Sequence, residues 1–219
     1  MRPDSAPGPS KGTAVDQSLS SQPAAAAGLD WARALTEAFA PQYVAFTLPV
    51  MAGGLSAGWI GAAWGLLAAL VCAGIPAAVI ALGVRRGRLD SIHVVERASR
   101  TGPMLAGLVA VAAGLTALIA LGAPRAVIAS AAVMLGWIIV LGAITLVWKI
   151  SFHTGVAAGA AVLLSHLLSP APTLAVGALL VVAIGWARVR ISHHTPAQAL
   201  AGALVAAAAT WGALALVGM

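Results

Sequence analysis

Apolar residues fill long blocks from about residue 36 onward, separated by short polar or Gly- and Pro-containing punctuation. A bilayer's hydrocarbon core is about 30 Å thick and takes about 20 residues of helix to cross. The blocks predict seven helical spans, at about 36–56, 59–84, 103–122, 125–147, 153–168, 173–187 and 197–217. Pro41, Pro49, Gly53 and Gly54 interrupt the first of them. The spacings Gly54 to Gly58 and Gly61 to Gly65 are read as close helix packing.

Ahead of the spans, residues 1–28 are rich in Ser, Pro, Ala and Gly and have no apolar stretch of the signal-peptide kind. They are expected to form a disordered tail, leaving 29–219 as one helical domain. Between Leu29 and Phe39, the bulky residues Trp31, Leu35 and Phe39 recur every four positions, with Arg33 and Glu37 between them. That pattern predicts an interfacial helix leading into the first span.

Composition reinforces this reading. The chain is 61% hydrophobic and 8% charged with a mean hydropathy of +0.98, whereas a soluble domain carries about 25% charged residues. Lipid offers no partner to a bare backbone, so spans must be helices or closed barrels. Few aromatics and no short alternating strands argue against a barrel. The expected fold is all-α, a polytopic transmembrane bundle. Its formal charge of +6 comes without a basic run interleaved with aromatics, so nucleic acid is not an expected partner. Cys72, the only cysteine, cannot form an internal disulfide and reads as a small buried apolar residue.

The remaining polar residues gather in three clusters, Arg85 to Arg100, Trp148 to His153 and Arg188 to His194. Two spans separate each cluster from the next, and a helix pair returns the chain to the side it left. All three therefore belong to one membrane face. The opposite turns, near Ser56, Gly122 to Pro124 and Ser169 to Pro172, are nearly uncharged. Of the 12 Lys and Arg residues only Arg125 falls on their side, which by the positive-inside rule makes the clustered face cytoplasmic. The expected location is the cell (inner) membrane.

In the first cluster, Asp90, His93, Arg97 and Arg100 fall on one stripe of a helix. In the second, Lys149 and His153 are four apart, with Ser151 between them. The third carries Arg188, Arg190, His193, His194 and Gln198, with Pro196 placed for the first turn of the last span. Pooled on one face, Arg97, Arg100, Lys149 and Arg188 are cations suited to phosphate oxygens, and Ser151 is a hydroxyl donor. His153 and His194 are groups that exchange protons near neutral pH. This is the chemistry of a phosphate site with two histidines, one able to attack phosphorus while the other protonates the leaving oxygen.

Other polar residues have plainer readings. Arg85, Arg86 and Arg88 are topology signals, Trp148 and Trp186 interfacial anchors, and His166, near a far turn, structural. His153, His193 and His194 are metal-ligand types, but His193 and His194 are adjacent and point apart on a helix, and no cluster contains Cys. No metal or other cofactor is expected.

At these residues the chain resembles the type 2 phosphatidic acid phosphatase superfamily. Its pattern is Lys-x6-Arg-Pro, then Pro-Ser-Gly-His, then Ser-Arg-x5-His-x3-Asp. Here Arg188 is followed by five residues and His194, with Ala187 for the Ser and Gln198 for the Asp. Ser151 and His153 match the second piece, with Ile150 and Phe152 for Pro and Gly. His93-x6-Arg100-Thr101 has the spacing of the first piece, with His for Lys and Thr for Pro. The resemblance covers about residues 85–215 and is similar to a bacterial branch whose third piece runs His-Thr-Pro-Ala-Gln.

The resemblance implies that His194 is the nucleophile, forming a phosphohistidine, and that His153 is the general acid and later the base for water. Arg100, Lys149, Ser151 and Arg188 would hold the phosphate, with Arg97 compensating for the missing Lys. Gln198, one turn beyond His194, would orient the nucleophile through its carbonyl without supplying negative charge. A carboxylate borrowed from Asp90 or Glu96 is the alternative source of that charge. The expected activity is metal-independent hydrolysis of a phosphomonoester or pyrophosphate on a membrane lipid, of the phosphatidate, phosphatidylglycerophosphate or polyprenyl phosphate type. Spans five and six, with only about 15 residues between the motifs and the far turn, suggest a site sunk below the headgroups. A non-catalytic lipid-phosphate binder or transporter of the same fold is the alternative. A metabolite transporter would need mid-span charges and repeated broken helices, which the sequence lacks beyond its first span. A homodimer is compatible with the sequence, which does not fix the oligomeric state.

Overall fold

The computed structural model describes residues 28–87 and 101–219. The expected tail and the stretch carrying Arg88, Asp90, His93, Glu96, Arg97 and Arg100 lie outside them. Within the described residues the chain is all-helical, without strands. The helices are α1 (28–38), α2 (Pro41–Ala69), α3 (Ile75–Arg85), α4 (Thr101–Ala120), α5 (Arg125–Val147), α6 (Phe152–Ser165), α7 (Pro170–Arg190) and α8 (Pro196–Leu216). Four stretches are long and apolar enough to cross a membrane: Pro41–Arg85, Arg125–Val147, Pro170–Arg190 and Pro196–Leu216. Met104–Ala120 and Phe152–Ser165 are shorter apolar helices. Large apolar side chains such as Leu179, Val182, Leu204 and Leu216 point outward along these helices, as lipid-facing positions do.

The Pro41–Arg85 stretch is not one straight rod. It doubles back at Ala57 and Gly58, where Gly58 takes φ +59° and ψ −145°, a conformation essentially reserved for glycine. The arms then run antiparallel in backbone contact, with Gly53 against Gly61 and Gly65 against Pro49, so that a Cβ on any of these glycines would overlap the facing main chain. The turn predicted near Ser56 is thus present. Gly58, expected in packing, instead forms the reversal, because no side chain fits its backbone angles. Further along the second arm, Leu70–Gly74 opens into a π-helical turn. Pro76 follows it, and a proline in a helix cannot bond the carbonyl four residues back, which a π turn accommodates.

Contacts along the bundle fix which ends lie together. Gly107 of α4 faces Pro76, and Gly142 of α5 faces Met104. The end of α3, the start of α4 and the end of α5 therefore share one end. α8 runs antiparallel to α5: Trp137 Nε1 donates to Thr210 Oγ1 at 2.9 Å mid-bundle, and Arg125 donates to the carbonyl of Gly218 at the far end. α5 is the most enclosed long helix, contributing Val127, Val133, Trp137 and Leu141 to the core. At the far end His166 packs edge-on to Trp211, with ring centroids 4.8 Å apart, and its Nδ1 lies 3.0 Å from the carbonyl of Val162. Cys72 is buried.

One expectation is corrected. α7 is 21 residues long and of crossing length, not a short span of 173–187, because Pro170 starts it and Arg188 and Arg190 belong to its last turn. Of the two spans expected to be short, only α6, with 14 residues, is so. On α1 the side chains buried against the protein are Ala32 and Thr36, and Trp31 is 75% exposed.

Candidate functional site

Three helix termini converge at the end of the bundle opposite Arg125. Ser151 is the N-cap of α6: its backbone is extended, and its hydroxyl accepts from the Thr154 N–H at 3.4 Å. The Ser151 N–H donates in turn to the Gln198 carbonyl at 3.3 Å, and Thr154 Oγ1 donates to the Ala199 carbonyl at 2.7 Å. Those bonds tie the first turn of α6 to the first turn of α8. Gly202 permits the approach, since a Cβ there would run into the Ser151 carbonyl.

α7 ends in a Schellman turn. The His193 N–H bonds the Arg188 carbonyl at 3.0 Å and the Ser192 N–H bonds that of Val189 at 2.9 Å, with Ser192 left-handed at φ 58°. The His194 N–H also reaches the Arg188 carbonyl, at 3.2 Å. Arg188 is therefore anchored under the loop that carries both histidines, and it is buried, 8% exposed.

α8 begins with a capping box. Thr195 Oγ1 accepts from the Gln198 N–H at 3.3 Å, and the Gln198 side-chain oxygen accepts from the Thr195 N–H at 3.1 Å. The same oxygen lies 3.3 Å from His194 Nδ1. Because the Thr195 N–H can only donate, the amide atom facing it is the oxygen, and Nδ1 must carry the proton of the His194 ring. Nε2 is left with its lone pair. Burial first, then the Arg188 and Lys149 charges, push the His194 pKa down from 6.5 to about 4, with the Gln198 bond pulling the other way and His193 adding a little. The imidazole is neutral at pH 7.

Of the residues expected at the site, Lys149, Ser151, His153, Arg188, His194 and Gln198 thus share one end of the bundle. Ser151 and His153 are buried, Lys149 is exposed, and His194 and Gln198 are half-buried. Asp90, His93, Arg97 and Arg100 lie outside the described residues, as does the alternative carboxylate of Glu96. Among the described residues no three His, Cys, Asp or Glu side chains group as metal ligands would. Sequence reasoning passed over Thr154, whose hydroxyl spans two helices. Its position between His153 and Gly155 was the available signal. Comparison with protein-family models, curated proteins and solved structures finds no match for this chain.

Proposed function

We propose that the chain is a multi-pass protein of the cell (inner) membrane that hydrolyses a phosphomonoester or pyrophosphate of a membrane lipid through a phosphohistidine. Seven crossings, with the site on the cytoplasmic face, complete this reading. The observation that carries it is the bond between His194 Nδ1 and Gln198 Oε1, beside Arg188 and within the field of Lys149. A neutral imidazole with a fixed tautomer and a free Nε2, set among cations, is what attack on an anionic phosphorus requires.

In this mechanism the two cations and Ser151 receive the phosphate oxygens, with Arg97 and Arg100 as further proposed ligands. Nε2 of His194 attacks phosphorus as the bond to the lipid oxygen breaks, and His153 gives that oxygen its proton. His153 then takes a proton from water, whose oxygen attacks phosphorus and breaks the P–N bond, releasing phosphate and restoring His194. Gln198 orients the ring throughout but brings no negative charge to the imidazolium-like transition state.

The test is phosphate release by the purified protein in detergent with EDTA, on phosphatidate, phosphatidylglycerophosphate and polyprenyl phosphates. Release that survives EDTA and disappears in His194→Ala supports the reading. The neutrality of Gln198 favours one rival, a lipid-phosphate binder or transporter without catalysis. Binding of these lipids with no release from any of them would establish that rival instead.

A further inference from the structure

The loop between α7 and α8 has a second side. His194 faces Gln198, whereas His193 lines a separate cavity of about 240 Å³ with Leu29, Arg33, Arg190, Ile191 and Ser192. Helix α1 supplies one wall and the Schellman turn of α7 the other. Arg33 is shared with Asp30 at 3.8 Å, both side chains being largely exposed. Arg190 has no such carboxylate among the described ion pairs. A space of this size takes several water-sized groups, room for a phosphodiester and a few carbons. Two guanidinium groups and an imidazole in one lining with Leu29 and Ile191 suit a phosphate that is attached to a carbon chain.

His193, which lines the cavity, is the chain neighbour of His194, so the cavity and the His194 ring lie on two sides of one short loop. We infer that the cavity holds a second phosphate of the same substrate. The substrate class is then a lipid with two phosphates joined by a short linker, the terminal monoester at His194 and the internal phosphodiester at Arg190, Arg33 and His193. This inference rests on the proposed reading of His194. It also gives α1 a role in substrate selection, since Leu29 and Arg33, two of the six lining residues, lie on that helix.

The experiment uses the full chain in detergent micelles. Binding is measured with His194→Ala, alone and combined with Arg190→Ala, against phosphatidylglycerophosphate, phosphatidate and phosphatidylglycerol. The first carries both phosphates, the second only a monoester and the third only a diester. Phosphatidylglycerophosphate binding at least tenfold tighter than either of the others, with that preference lost on Arg190→Ala, is the expected result. Equal affinity for phosphatidylglycerophosphate and phosphatidate, or a preference that survives Arg190→Ala and Arg33→Ala, overturns the inference. Phosphatidylglycerol binding as tightly as phosphatidylglycerophosphate, and equally dependent on Arg190, also overturns it, because the cavity then holds a separate bilayer lipid. Turnover is followed in parallel with the active protein. If no lipid releases phosphate, the phosphatase reading fails, while the binding comparison still decides whether the cavity recognises a second phosphate.

Discussion

The main-chain N–H of Ser151 donates to the carbonyl of Gln198 across 3.3 Å, joining the start of α6 directly to the start of α8. Nothing larger than hydrogen fits at Gly202, beside this bond. Gly202→Val should force the two helix starts apart, with a loss of about 1–3 kcal/mol, typical of overpacking. Thermal unfolding in detergent should show a lower midpoint, and phosphate release should fall further than the stability loss accounts for. An unchanged midpoint would mean that the helices tolerate separation here.

Gln198 has two duties, at the helix cap and at the imidazole, and substitutions can part them. Gln198→Ala removes both, costing about 1 kcal/mol of stability as capping losses do and freeing His194 to take the unproductive tautomer. Gln198→Glu retains an oxygen for Nδ1 and the cap while adding negative charge, so its turnover should exceed that of Gln198→Ala by at least tenfold. Steady-state kinetics of the two variants provide the comparison. Similar turnover would remove Gln198 from the reaction.

The lowered pKa of His194 has a direction that can be measured. The unfolded chain binds a proton here near pH 6.5 and the folded chain only near pH 4. Between those values the unfolded state holds more protons, so stability falls as pH drops from about 6.5 to about 4 and levels off below. Arg188→Gln removes the largest charge acting on the ring and should move its titration upward, toward 6.5. NMR of labelled histidine in detergent reports the midpoint directly. A midpoint that stays put would show that Arg188 does not act on His194.

Ser192 occupies the left-handed position of the α7 Schellman turn, at φ 58°. An L-residue there gives up about 1–2 kcal/mol relative to glycine. Ser192→Gly should raise the unfolding midpoint if the turn keeps its shape, since the exposed Ser192 hydroxyl makes no hydrogen bond among the described residues. A lower midpoint would point to an interaction made by that hydroxyl.

Much of the architecture could be read from the order of residues. Apolar blocks place the helix starts and stops of α5 and α8 within one residue of those observed, and the order of the predicted spans puts Ser151 and Gln198 at one end, where their main chains are hydrogen-bonded. α7 was harder because Pro170 and Arg190 look like loop residues when taken singly. In a helix they are favoured at the first and last turns, where a missing N–H does no harm and a positive charge meets the carbonyl ends. Gly58 reads as one of many small packing residues until its backbone angles are known. The cavity beside His193 is beyond any local pattern, because Arg33 and Arg190 meet only through the folding of the whole bundle.

The capping box that starts α8 also ties the orientation of His194 to the most labile part of a helix, its first turn. Helix ends open and close far more often than helix centres. When Gln198 swings away from the Thr195 N–H, His194 loses its partner in the same motion. On warming, the Nδ1-protonated tautomer should therefore be lost while the glycine-packed arms of α2 and the Trp137 to Thr210 contact still hold. Under the proposed function, fraying of one helical turn, rather than melting of the bundle, should set the temperature ceiling for phosphate release.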